Sequence, residues 1–90
     1  MFQELKRIIE TSRDNEALSE ALCDLASKRR LASCAFLEPL LEHPDAEVLL
    51  DLLSALKSFE DPLAADFVRR LAASEKRLVR DSARWQLNHD

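Results

Sequence analysis

Phe36-Leu37-Glu38-Pro39-Leu40-Leu41-Glu42-His43-Pro44-Asp45-Ala46-Glu47-Val48, running on into Leu49-Leu50-Asp51-Leu52-Leu53-Ser54-Ala55-Leu56, is the stretch that decides the fold. Val48, Leu52 and Leu56 recur at every fourth residue and mark one face of an α-helix. Phe36 and Leu40 do the same for a helix before it, and Pro44-Asp45 supplies the turn between them. Shifting the frame by 31 residues in either direction finds the pattern again. Leu5 falls on Phe36 and Phe67, and Ile9 on Leu40 and Leu71. Ala17 falls on Val48 and Val79, Ala21 on Leu52 and Ala83, and Leu25 on Leu56 and Leu87. Every member of these columns is apolar.

The spacing predicts six helices, at about 2–12, 15–27, 31–42, 46–59, 62–73 and 76–88, paired into units 1–30, 31–61 and 62–90 of one domain. Asp14-Asn15 and Ser74-Glu75 provide the other turns inside the units. Asp61-Pro62 opens the fifth helix with a capping residue and a first-turn proline. One helical pair cannot bury both of its apolar faces, so the units are expected to stack.

The segment 36–48 resembles a HEAT repeat. That family often carries a proline that kinks the first helix, here Pro39, then a Pro/Asp turn, then a Val-Arg pair opening the second helix. Leu78-Val79-Arg80-Asp81-Ser82-Ala83 is similar to the Val-Arg element. Unit one lacks both features, and Leu49 stands where unit two would have the arginine. Short repeats of this period also resemble those of phycobilin lyases and of many small bacterial proteins. The resemblance implies an all-α, right-handed α-α superhelix of three hairpin repeats, with the second helices lining a concave side. It implies a binding role and no particular ligand. A compact six-helix bundle is the alternative; the unbroken 31-residue register favours the stack.

Composition narrows the function. The chain has 90 residues, 47% hydrophobic and 33% charged, so a folded chain with a thin core is expected. Glycine and tyrosine are absent, which removes any Gly-rich phosphate loop and the common β-hairpin turns. No apolar run approaches the ~18 residues of a membrane span. No apolar run follows the charges of the first residues, so no signal peptide is expected and the cytoplasm is the default location. Met1 and the polar ending Asn88-His89-Asp90 suggest a complete chain. The net charge of −4 disfavours nucleic acid and suits a protein with a basic surface. Cys23 and Cys34 read as reduced, partly buried cysteines, because the close spacing of a zinc site is absent.

The arc opposite Val48, Leu52 and Leu56 holds Glu47, Leu50 and Ser54. The same arc in unit one holds Glu16, Ser19 and Cys23, and in unit three Leu78, Asp81 and Trp85. Glu20 and Asp51 lie at its edge. The candidate partner-binding residues are therefore Glu16, Glu20, Glu47, Leu50, Asp51, Leu78, Asp81 and Trp85: carboxylates around an apolar-aromatic patch. Two plainer readings stand beside this, a solvated helix face for the acids and a cap over the stack end for Trp85. Charge is uneven. Residues 31–66 carry eight acids against Lys57, and residues 67–89 carry six bases against Glu75 and Asp81. The basic end either touches phosphates or pairs with the acidic middle, and Arg80 is expected to bond the neighbouring repeat.

No nucleophile, base and orienting group occur in a recognisable motif. His43 with Asp45 reads as a loop pair, His89 lies beside the chain end, and Glu47 with Asp51 is a carboxylate pair one helical turn apart. No catalytic residue, metal or cofactor is expected. The leading expectation is a protein-binding module, possible roles including a small inhibitor such as an immunity protein or antitoxin that occludes a basic partner. Two alternatives are a homo-oligomer joined through the stack ends, by Phe2 at one and Leu87 or Trp85 at the other, and a phycobilin-lyase-like protein.

Overall fold

The computed structural model describes residues 2–28, 31 and 33–89, and of residues 2 and 89 the backbone only. Among the described residues the chain is all-helical, with helices α1 (Phe2–Thr11), α2 (Asn15–Ala26), α3 (Ala46–Leu56), α4 (Pro62–Leu71) and α5 (Arg77–His89), and a 3₁₀ helix η1 (Ala35–Glu42) between α2 and α3. Among the described residues no helix is long and apolar enough to cross a membrane.

The helix starts follow local chemistry. Asp14 accepts the backbone N–H of Glu16, Asp45 those of Glu47 and Val48, and Asp61 that of Leu63. Each satisfies donors that a first turn leaves open. Pro62 follows Asp61 at the first position of α4, where its missing N–H costs nothing. Ser74 Oγ accepts the N–H of Lys76 in the turn before α5.

Two expected spans are corrected. The third helix begins at Ala35 rather than at residue 31, and it is 3₁₀ throughout instead of a kinked α-helix. Pro39 lies at its centre, has no N–H to give, and in an α-helix its ring would press on the carbonyl of Ala35. The fourth helix stops at Leu56 rather than at residue 59. Residues 31 and 59 are extended and form a parallel bridge. Leu31 N–H donates to Ser58 O at 2.9 Å, and Glu60 N–H donates to Leu31 O at 3.0 Å, tying one inter-unit linker to the next. The other ten helix ends lie within two residues of expectation.

The helices pack in two rows. α3 lies between α2 and α5 in one row, η1 lies between α1 and α4 in the other, and α1–α2, η1–α3 and α4–α5 pair across the rows. Ile9, Leu40 and Leu71 are all buried, as are Ala21, Leu52 and Ala83. Phe36 and Ala17 are half-buried within their columns. Leu87 departs from its column: it is 37% exposed while Leu25 and Leu56 are covered, and Gln86 takes the buried place.

Burial also separates the two sides of the α2–α3–α5 row. α3 buries Val48 and Ala55 on one flank and Leu49 and Leu53 on the other. α2 buries the counterparts of the second flank, Leu18 and Leu22. α5 buries those of the first, Val79 and Gln86. So the Leu49/Leu53 flank faces the next unit and the Val48/Ala55 flank faces the previous one. Ser58 and Gln86 are the buried polar side chains of the described residues, and both serve these seams. Ser58 Oγ donates to Ala26 O at 3.1 Å, and Gln86 Nε2 donates to Leu53 O at 3.1 Å. Both acceptors lie in the last turn of the preceding helix of the α2–α3–α5 row, where carbonyls lack intrahelical partners.

Candidate functional site

The outer side of the α2–α3–α5 row carries all eight candidate residues, but the structure divides them. Leu50, Asp81 and Trp85 meet in a groove of about 470 Å³ between α3 and α5, completed by Leu53, Ser54, Lys57, Ser82 and Gln86. Glu16 and Glu20 line a separate hollow of about 450 Å³ against α1, floored by Leu5, Ile8, Ala17 and Ala21. Glu47, Asp51 and Leu78 line neither.

Helical spacing explains the α5 side of the groove. Leu78, Asp81 and Trp85 follow one another at three and four residues, opposite the buried Val79, Ala83 and Gln86. Leu78 is 67% exposed and Trp85 57%, the two most exposed large apolar side chains described. Trp85 lies alongside α3, with Lys57 Nζ 5.6 Å from its ring centroid, a cation–π distance. Lys57, Leu53 and Gln86 were outside the sequence-derived set. The spacing of Lys57 from Ser54 places it on the same α3 face, and that signal was available.

Charges pair mostly on exposed ground. Asp81 lies 3.7 Å from Arg77 Nε and 3.8 Å from Arg80 Nε, both on its own helix. Among the described residues the ion pair of Arg80 is to Asp81 on its own helix and not, as expected, to the neighbouring repeat, and its Nε is buried with no hydrogen-bond partner. Arg70 reaches Glu38 at 3.4 Å, which joins the basic third unit to the acidic second. Asn15 Nδ2 donates to Asp45 Oδ2 at 2.8 Å across the first seam.

The two thiols are free and differ in setting. Cys23 is exposed, with Sγ 3.9 Å from Asp51 Oδ1. Local desolvation, followed by the charges of Asp51 and Asp24, pushes its pKa above the ordinary 9.0. Cys34 is wholly buried rather than partly so, and both its N–H and its Sγ lie against Asp61 Oδ2, at 3.1 and 3.7 Å. Burial, reinforced by Asp61, raises its thiol to about 11. The backbone N–H groups of Leu63 and Cys34 hold the Asp61 carboxyl below its ordinary value.

His43 Nδ1 accepts the Asp45 N–H at 3.0 Å, a turn contact. The side chain of His89 lies outside the described residues. Among the described residues no three His, Cys, Asp or Glu side chains gather where they would hold a metal ion. No family model, curated protein or solved structure matches the chain.

Proposed function

We propose that this chain is a non-catalytic protein-binding module: a right-handed superhelix of three HEAT-like hairpins whose α2–α3–α5 face docks a cytoplasmic protein with a basic surface. The observation that carries the reading is the pair Leu78 and Trp85, exposed on one face of α5 beside a groove walled by Leu50 and Leu53. Large apolar side chains held rigidly on a helix and left in water are the usual anchors of a protein interface. The carboxylates of Glu47 and Asp51 on α3, and of Glu16 and Glu20 farther along the row on α2, would steer a Lys- and Arg-rich partner toward it. An inhibitor that covers the phosphate-binding surface of a nuclease, as an immunity protein or antitoxin does, is the concrete role that fits an acidic face on so small a chain.

The test is an affinity capture with wild type and with Trp85→Ala plus Glu47→Lys, washed at rising salt. The expected result is a basic protein retained by wild type, released by salt and lost by the variant. Equal capture by both chains would remove this face from the function.

A further inference from the structure

We propose that the two ends of the helical row are complementary docking surfaces, and that a second copy of this chain stacks its first unit onto the last unit of the first. The argument begins with the seam positions. On the flank that faces the next unit, α2 carries Leu18 and Leu22 and α3 carries Leu49 and Leu53, all buried. The matching residues of α5, displaced by 31, are Arg80 and Arg84. On the flank that faces the previous unit, α3 buries Val48 and Ala55 and α5 buries Val79 and Gln86, whereas α2 has Ala17, half-buried, and Asp24, exposed. Where the row has a neighbour its flank is apolar or hydrogen-bonded. Where it has none, one end is cationic and the other anionic.

Asp24 shares its end with Glu20 and with the apolar floor of Leu5, Ile8, Ala17 and Ala21. The opposite end presents Arg84, exposed, and Arg80, whose buried Nε has no hydrogen-bond partner and is 3.8 Å from Asp81. A carboxylate arriving from outside would pair with Arg84 and with the part of the Arg80 side chain that stays accessible, 35% of it, where the seams inside the chain are closed by Ser58 and Gln86. Docking α5 of one copy against α2 of the next continues the α2–α3–α5 row in the order already built. It sets Arg80 and Arg84 beside Asp24 and Glu20. The charges oppose one another across a head-to-tail contact and repel across head-to-head or tail-to-tail contacts, so the second copy has one orientation. A head-to-tail contact is not completed by a two-fold axis, so further copies add as concentration rises unless the rotation closes a ring.

The experiment is sedimentation velocity of the full chain over a wide concentration range, in ~10 mM salt, where charges act over about 30 Å, and in ~1 M salt, where they act over about 3 Å. Wild type is expected to sediment at twice the monomer mass or more in low salt and as monomer in high salt. Arg84→Glu and Asp24→Lys, both at exposed positions, are each expected to remain monomeric in low salt. Mixed in equal amounts they are expected to associate again, since each then offers the end the other requires. Circular dichroism checks that both are folded as wild type is. A wild type that stays monomeric in low salt at the highest concentration overturns the proposal, as does a mixture that fails to recover association. Neither substitution touches Trp85 or Glu47, so failure here leaves the capture experiment with a basic partner intact.

Discussion

Gln86 offers a sharp test of how the units are joined. It is 4% exposed, and its Nε2 donates to Leu53 O at 3.1 Å. Gln86→Glu keeps the shape of the side chain and removes that donor. The introduced carboxyl can serve the Leu53 carbonyl only while it holds its proton. In the unfolded chain a glutamic acid titrates near ~4.3, and holding it protonated costs about 1.4 kcal/mol for each pH unit above that. At pH 7 the ceiling is therefore roughly 4 kcal/mol, since the fold pays either this cost or a smaller one for ionising the group in place. The sign follows from a carboxyl whose folded value is raised. Its stability is intact below about pH 4 and is lost as pH rises through the folded pKa. The assay is urea unfolding of wild type and variant at steps from pH 4 to pH 7, reading the difference in free energy at each step. Carboxylates common to both chains cancel in that difference. The gap is expected to be under ~1 kcal/mol at pH 4 and about 3 to 4 kcal/mol at pH 7. A gap that does not change with pH would mean that Gln86 is neither buried nor the partner of Leu53, and the seam between α3 and α5 would need another account.

The thiols give two further predictions. Cys34, raised by burial and then by Asp61 to about 11, stays neutral in the fold after the unfolded chain has begun to ionise at 9.0. Wild type should therefore lose up to about 3 kcal/mol relative to Cys34→Ala between pH 8 and pH 11, and parallel urea-unfolding curves would refute the placement of the thiol. Cys23 is exposed, yet desolvation and the carboxylates of Asp51 and Asp24 disfavour its thiolate. At pH 8 it should alkylate with iodoacetamide more slowly than a cysteine in an unstructured peptide, and Asp51→Asn should speed it; equal rates in wild type and variant would dispose of the Asp51 contact.

The helices and their order were legible because each rests on local chemistry. Asp14, Asp45 and Asp61 cap helices from positions the sequence marks, and the 31-residue columns found about half of the core. What remained hidden depends on neighbours far along the chain. Leu31 and Phe59 look like helical residues because they are apolar, but a hydrogen-bond pair between two linkers removes them from the helices. Gln86 looks like a surface residue, and Leu87 like the last member of a core column. Which of the two is covered depends on where α3 lies, and the orphan carbonyl of Leu53 draws the amide inward. The candidate face was legible as a set of positions and not as a surface: the arc rule named Trp85 and Leu50 but did not separate their groove from the hollow holding Glu16 and Glu20.

The columns that break the repeat carry more information than those that keep it. Residues 22, 53 and 84 read Leu, Leu, Arg, and residues 24, 55 and 86 read Asp, Ala, Gln. Taken as one helical pattern these are noise, because either flank of an isolated helix tolerates a charge. Taken as two flanks of a row they are ordered. The charge sits on the flank that lacks a neighbour, and the apolar or hydrogen-bonding residue sits on the flank that has one. A repeat whose unit cannot bury its own faces must change at its ends, and the type of change sets what the end can meet. Two polar ends of the same sign would only keep the chain dispersed. Ends of opposite sign, on the same helical row and at matching register, specify a direction of association as well, which uncharged ends would not.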